Sequence, residues 1–314
     1  MKILFLGLGS IGQRHARLLI KGGGHELFAL RTNRSDAPQP DFPIQVLSTW
    51  EQVDTIKPQL AFVTNPTSMH ISTAIECAKR GMDLFMEKPI DAHDEGLDQL
   101  LDLIKEKHLT SYVAYCLRFH PVIQYLKEAL HKEQACHLQI EAASFLPTWR
   151  PGRDYKKIYS SRKELGGGVV FDLSHEIDYV DFLLGPIIQI EGHCARLGDV
   201  TVDAEDCADM HISAAHGFAN AHLSFLSHIS KRRITVYQAS QSIVADLINN
   251  TVLVYKNNTI VETLSLGIER DVLYQRQLDF FLANIDNPEM MNNLQEAAGL
   301  FRKICQFKEK SNAA

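Results

Sequence analysis

Apolar residues in the first third of the chain come in short, largely apolar runs, each followed by a stretch of different character. Ile3–Leu6, Glu26–Leu30, Ile44–Leu47, Gln59–Thr64 and Met82–Met86 are such runs, and a further one falls near 110–116. Runs this short and this apolar read as strands buried on both faces. Between them the apolar positions recur with helical spacing: Gln13–Ile20, stopped by Gly22-Gly23-Gly24, then Thr49–Ile56, Ile71–Arg80, stopped by Gly81, and about 94–107. Strand and helix alternating at these lengths predict an α/β fold, a doubly wound parallel Rossmann sheet.

From His137 the pattern changes. His137–Leu146 alternates apolar with polar, and similar runs recur near 187–196, 207–215, 218–227, 232–238, 242–247 and 251–255. Alternation of period two belongs to strands with one covered face. The expectation is a C-terminal α+β domain with a large, open-faced, mostly antiparallel sheet, whose uncovered face suits a homodimer or homotetramer contact. Arg270–Lys308 reads as two helices broken around Asp286-Asn-Pro288. Tyr112–Cys116 reads as the last strand of the first domain and Leu117–Pro121 as a crossover, so the expected domains are 1–118 and 119–314.

Composition narrows the function classes. The 314 residues carry a net charge of −6, 45% hydrophobic and 22% charged side chains, which is ordinary globular material and offers nothing to nucleic acid or an anionic membrane. Six cysteines at 77, 116, 136, 194, 207 and 305 form no CxxC pair, so neither a metal framework nor a disulfide scaffold is expected. No apolar run approaches the ~18 residues of a membrane span, and the start lacks signal-peptide character, pointing to a reduced cytoplasmic setting.

The first strand runs into Gly7-Leu8-Gly9-Ser10-Ile11-Gly12. In a dinucleotide site Gly7 permits the tight turn, Gly9 admits the pyrophosphate to the backbone, and Gly12 lets helix and strand pack closely. Ser10, Ile11 and Gly12 then lie in the helix's first turn, whose N–H groups favour phosphate. Where the second strand ends, an acid would bind a ribose 2′-hydroxyl; here stand Arg31, Thr32, Asn33, Arg34 and Ser35, which suit a 2′-phosphate and lean the cofactor to NADP over NAD. Asn65-Pro66 with His70 follows the fourth run, and Glu87-Lys88-Pro89 follows the fifth, both at strand ends where open α/β sheets bind ligands. A lysine there can orient a reacting oxygen, stabilise alkoxide charge or shuttle a proton. Glu87 reads as a partner of backbone or a nearby cation. His15, just beyond the glycines, is expected to touch either the cofactor phosphates or nothing, the latter being favoured.

In the second half, Arg118 could contact substrate or lock the crossover, and His120 reads as a junction contact. The stretch 147–155 holds Trp149, Arg150, Arg153, Asp154 and Tyr155, suited either to a polyhydroxylated or anionic substrate or to clamping its own loop. Gly166-Gly167-Gly168 then reads as a flexible loop into a helix carrying Asp172, His175 and Asp178, with Asp172 and His175 on one face. A histidine so placed can relay a proton while a carboxylate sets its tautomer.

In this order the motifs resemble the Gfo/Idh/MocA family of NAD(P)-dependent oxidoreductases, which act mainly on sugars, and the likeness covers nearly the whole chain. The resemblance implies that Lys88 handles the reacting oxygen, with His175 and Asp172 assisting, and often a cis bond before Pro89. One departure is that Asp172 and His175 stand three apart where the commoner pattern has four. His175 is therefore the firmer catalytic candidate. Two alternatives stay open: a glycosidase-type enzyme that oxidises a sugar only transiently, and a cofactor-bound sugar sensor. The 147–155 loop looks like a branch of the family associated with surface-polysaccharide or acidic sugars.

Overall fold

β1 (Lys2–Leu6), β2 (Glu26–Leu30), β3 (Gln45–Leu47), β4 (Leu60–Val63), β5 (Asp83–Met86) and β6 (Ser111–Val113) form a six-stranded parallel sheet in the order β3-β2-β1-β4-β5-β6. This computed structural model describes residues 1–31, 40–130, 136–150, 152 and 154–312. The strands are almost wholly buried, as continuous apolar runs require. Between them lie α1 (Ser10–Gly22), α2 (Trp50–Ile56), α3 (His70–Lys79) and α4 (Leu97–Lys107). Thr49 caps α2 in a reciprocal pair with Gln52, and Gly23, at φ 73°, ends α1.

Register partners Phe5, Phe62, Phe85 and Tyr112 place an aromatic row across β1, β4, β5 and β6, with Phe5–Phe62 and Phe62–Phe85 stacked at 4.9 and 4.4 Å. Phe281 sits edge-on to Phe62 and Phe85. That residue comes from near the other end of the chain.

The chain forms two compact units: Met1–Ala114 with Tyr274–Gly299, and Tyr115–Leu273 with the residues from Leu300 on. A contiguous division at 118/119 does not anticipate the return of 274–299, which has a local cause. Asn292 and Val113 exchange two hydrogen bonds, Val113 N to Asn292 O at 3.0 Å and Asn292 Nδ2 to Val113 O at 2.6 Å. Phe281 meanwhile covers the aromatic row.

The second unit holds α5 (Pro121–Leu130) and an eight-stranded sheet in the order β14-β13-β12-β11-β7-β10-β9-β8. Its strands are β7 (Cys136–Phe145), β8 (Ile187–Ala195), β9 (Cys207–Ala214), β10 (Gly217–Ser224), β11 (Leu226–Tyr237), β12 (Ser242–Asp246), β13 (Thr251–Lys256) and β14 (Thr259–Ser265). The β7–β10 pair is parallel and every other neighbour antiparallel. Leu138, Ile140, Ile212, Ala219, Ala221, Leu223, Ile234 and Val236 are buried on one face, while His137, Gln139, Asp209, His211, Asn220 and His222 share the other. The open face is therefore polar, as the alternation predicts. β14 is the strand the pattern misses: six of its seven residues are exposed.

The helix expected to carry Asp172, His175 and Asp178 is two helices, α6 (Val169–Asp172) and α7 (His175–Leu184). Leu173 takes ψ 27°, out of the helical well, and breaks the continuity. The tail forms α8 (Arg270–Ala283) and α9 (Leu294–Asn312), broken where expected.

Candidate active site

In the first unit, the turns that follow β1, β4 and β5 interlock. Gly7 takes φ 104°, and a Cβ there would lie 2.6 Å from the backbone of Asn65. A Cβ on Gly12 would lie 2.3 Å from Gly7 O and 2.7 Å from Thr64 Oγ1, while one on Gly9 would meet nothing within 4 Å. Thus Gly7 is the turn, Gly12 the close packing, and Gly9 an open backbone at the cap of α1. Ser10 and Ile11 follow in the first helical turn, whose N–H groups have no acceptor within the helix. Oδ1 of Asn65 is buried without a partner among the described residues, and its Nδ2 donates to Thr73 Oγ1 at 2.8 Å. The unpaired backbone N–H groups of this open cradle fit the pyrophosphate of a dinucleotide.

His70 differs from a direct cofactor ligand. It is 1% exposed, and its two ring nitrogens lie 2.9 Å from backbone carbonyls, Nδ1 from Pro89 O and Nε2 from Asn65 O. It ties the turn after β4, including the exposed Pro66, to the turn after β5. Asp91 adds a second tie, its Oδ2 accepting from Ile71 N at the start of α3 at 2.8 Å.

Lys88 lies between these anchors, half-buried, with a cis bond to Pro89. Glu87 continues the period-two alternation of β5 onto the face of Phe85, and Glu87 N donates to Val63 O at 2.9 Å. There its Oε1 meets His15 Nε2 at 2.8 Å. The expectation that His15 touches nothing is thus corrected: it is 0% exposed and paired. Arg31 follows β2 directly, its backbone N–H donating to Leu47 O at 2.9 Å. Residues Thr32, Asn33, Arg34 and Ser35 lie outside the described residues.

In the second unit, Asp172 and Asp178 belong to different networks. The hydroxyl of Tyr159 donates to Asp172 Oδ1, and burial together with that carboxylate pushes the phenol well above the ordinary tyrosine range. His175 opens α7 with the Tyr115 ring edge-on at 5.6 Å. Tyr115 is likewise pushed up, by burial first and by the charge of Asp178 second. Sequence spacing flags neither tyrosine.

Arg118 is not presented to a ligand. It is 2% exposed, and its Nε and Nη2 donate to Asp178 at 2.8–3.1 Å, Asp178 being fully buried. The role as substrate contact gives way to a buried ion pair within the unit. His120 is also buried and accepts from Val122 N through Nδ1 at 3.2 Å.

In the 147–155 loop, Trp149 Nε1 donates to Ser144 Oγ at 2.8 Å and its ring meets Phe225 edge-on. Asp154 caps the turn at Lys156 N, and Lys156 lies over the ring of Tyr155. Arg150 is half-exposed, and Arg153 lies outside the described residues. Two of the three glycines before α6 are closely packed: a Cβ on Gly167 would lie 2.0 Å from Tyr159 O, and one on Gly168 2.3 Å from Glu205 Oε1.

On the polar sheet face, Cys207, Asp209 and His222 bring ligand-type atoms within 4.8 Å of one another. The His222–Asp209 hydrogen bond of 2.8 Å accounts for that closeness. Burial and the neighbouring carboxylates push the Cys207 thiol up, away from a metal-binding thiolate.

UDP-N-acetylglucosamine 3-dehydrogenase of Acidithiobacillus ferrooxidans is 26% identical over 227 residues, which is 72% of this chain and 67% of that one. Its solved structure matches with a TM-score of 0.81 at 19% identity, covering 100% and 98% of the two chains. Myo-inositol 2-dehydrogenase of Thermotoga maritima is 24% identical over 288 residues, 90% of this chain and 83% of that one. Levoglucosan dehydrogenase, solved in complex with NADH, matches with a TM-score of 0.86 at 15% identity, covering 100% and 97%. At such identities the solved structures speak to the fold. The chain spans 55–67% of the length of the first curated relatives it matches. No described helix is long and apolar enough to cross a membrane. The profile of the oxidoreductase family with an NAD-binding Rossmann fold matches residues 1–115 and that of the GFO/IDH/MocA C-terminal domain matches residues 123–244, so the chain belongs to the Gfo/Idh/MocA family of oxidoreductases.

Proposed function

We propose that this protein moves a hydride between a nicotinamide cofactor and a hydroxyl or ketone of a sugar or sugar derivative, such as a nucleotide or acidic sugar. The observation that carries this reading is the placement of Lys88. It follows β5 at the carboxyl edge of the sheet that holds the Gly7–Gly12 cradle, fastened by Glu87 on one side and Pro89 on the other. When bound, the nicotinamide gives or accepts the hydride. Lys88 holds the reacting oxygen and stabilises its developing negative charge. His175 carries the hydroxyl proton, and Asp172, oriented by Tyr159, assists it. Gly7, Gly9, Ser10, Ile11, Gly12, Asn65 and Pro66 form the cofactor cradle, with His70 and Glu87 shaping it from beneath.

The remaining assignments belong to the same reading. Arg31 favours NADP over NAD. Trp149, Arg150, Arg153, Asp154 and Tyr155 form the sugar-facing loop. The protein works in the cytoplasm as a homodimer or homotetramer joined through the polar face of the eight-stranded sheet. Phe218 and Tyr237, 43% and 47% exposed, stack there on His137. Sedimentation of a Phe218→Glu variant tests that contact, since an unchanged oligomer would place it elsewhere.

The test of the activity is nicotinamide reduction with UDP-N-acetylglucosamine, myo-inositol and acidic sugars as substrates. A stoichiometric absorbance change with one of them is expected, and Lys88→Ala should abolish it while retaining cofactor binding. Wild-type turnover in Lys88→Ala would overturn the reading.

A further inference from the structure

We propose that His15 is a positioning residue for Lys88, acting through Glu87 from beneath the cofactor cradle. The inference rests on the reading of Lys88 given above. Gly12 must face β1, because its missing Cβ admits Gly7 O, and His15, three residues on, shares that buried face of α1. The ring lies among Phe85, Phe62 and Tyr274, with centroids 5.0, 5.8 and 5.7 Å away. One polar contact leaves this aromatic cage, from Nε2 to Glu87 Oε1 at 2.8 Å, while Nδ1 has no partner among the described residues. That pattern assigns the hydrogen to Nε2.

Glu87 passes the constraint on. Its Oε2 accepts from Lys88 N at 3.3 Å, and its own backbone N–H is fixed on Val63 O. On the far side of Lys88, the Pro89 carbonyl is held by His70, whose other nitrogen meets Asn65 O. The lysine backbone is thus fastened before and after by two buried histidines. One stands on the helix that opens with the glycine cradle and the other opens α3, both within the first unit. A buried carboxylate stripped of its histidine partner must turn or be hydrated, and either movement shifts the residue next to it.

The test compares His15→Leu, His15→Gln, Glu87→Gln and Lys88→Ala with the wild-type protein. Three readouts apply: NADH affinity, kcat and KM with UDP-N-acetylglucosamine or myo-inositol, and hydrogen exchange of the 86–90 backbone, which needs no substrate. His15→Leu should lower kcat about 10–100-fold and speed exchange of 86–90 about tenfold, with KM and NADH affinity within about threefold. His15→Gln, which keeps a donor near the Nε2 position, should recover most of both. Should the leucine variant fail to fold, Glu87→Gln makes the same measurement at nearly constant shape and should likewise lower kcat. Wild-type kcat and exchange in a folded His15→Leu, beside an inactive Lys88→Ala, overturn the inference and leave the lysine reading standing. An active Lys88→Ala overturns that reading and the positioning role with it.

Discussion

Tyr159 donates its phenolic hydrogen to Asp172 across thirteen residues of chain, from a short turn to the last residue of α6. A carboxylate that accepts this bond is held in one orientation, which a proton relay needs. The same contact links the glycine-rich segment to Asp172, since Gly167 packs against Tyr159 O.

Tyr159→Phe should therefore lower kcat about tenfold while costing no more than about 1.5 kcal/mol of stability, the worth of one partly buried hydrogen bond. Turnover and urea unfolding measured on one preparation check both numbers. Wild-type kcat in a folded variant would mean that Asp172 needs no orienting partner.

Arg118 and Asp178 are the most deeply buried ion pair among the described residues of the second unit, and the expected phenotype is structural. Removing one charge leaves the other stranded, so Arg118→Ala or Asp178→Asn should cost about 3–5 kcal/mol in denaturant unfolding. Arg118→Lys should not restore it, because one ammonium cannot copy the guanidinium's contacts through both Nε and Nη2. A raised KM with unchanged stability would return Arg118 to the substrate.

The strands were legible because burial on two faces and on one face leave different patterns, and the roles of Gly7, Gly9 and Gly12 followed from their spacing. What could not be read lies in long-range pairs. His15 has helical phase with Gly12, but its partner is 72 residues away. Tyr115 and Tyr159 sit in irregular turns where no period exists. β14 is an exposed edge without an apolar face, and Phe281 belongs with Phe62 and Phe85 through packing that spacing does not encode. The break at Leu173–Ser174 also separates Asp172 from His175, which helical phase had placed on one face.

The second and third glycines of the motif should separate stability from binding. Gly12→Ala drives a methyl into Gly7 O and should cost about 1–3 kcal/mol. Gly9→Ala meets no atom of the protein, so stability should stay within about 0.5 kcal/mol while NADH binding weakens about tenfold. Thermal melts with and without NADH distinguish them. Equal NADH affinity in Gly9→Ala would remove the pyrophosphate from that turn.

Arg31→Asp tests cofactor choice. An acid at the end of β2 accepts hydrogen bonds from a ribose 2′-hydroxyl and repels a 2′-phosphate, whereas a guanidinium does the reverse. The ratio of NADPH to NADH affinity should fall about 10–100-fold in the variant. Fluorescence titration with each nucleotide reads it directly, and an unchanged ratio would take Arg31 out of cofactor recognition.

Alkaline stability carries a definite sign. Burial pushes the phenols of Tyr115, Tyr159 and Tyr179 above their ordinary range, and adjacent carboxylates push in the same direction. In the unfolded chain these phenols lose their protons near pH ~10, while in the folded chain they keep them. Above that pH the unfolded state binds fewer protons, so stability falls as pH rises; below it, these groups contribute no pH dependence. The melting temperature should drop steeply above about pH 10, and the drop should be smaller in Tyr159→Phe, which has one such phenol fewer. Ultraviolet titration of the folded protein should show these tyrosines ionising only as it unfolds. A phenolate signal near pH ~10 from all nine tyrosines in the folded state would contradict the burial of these three.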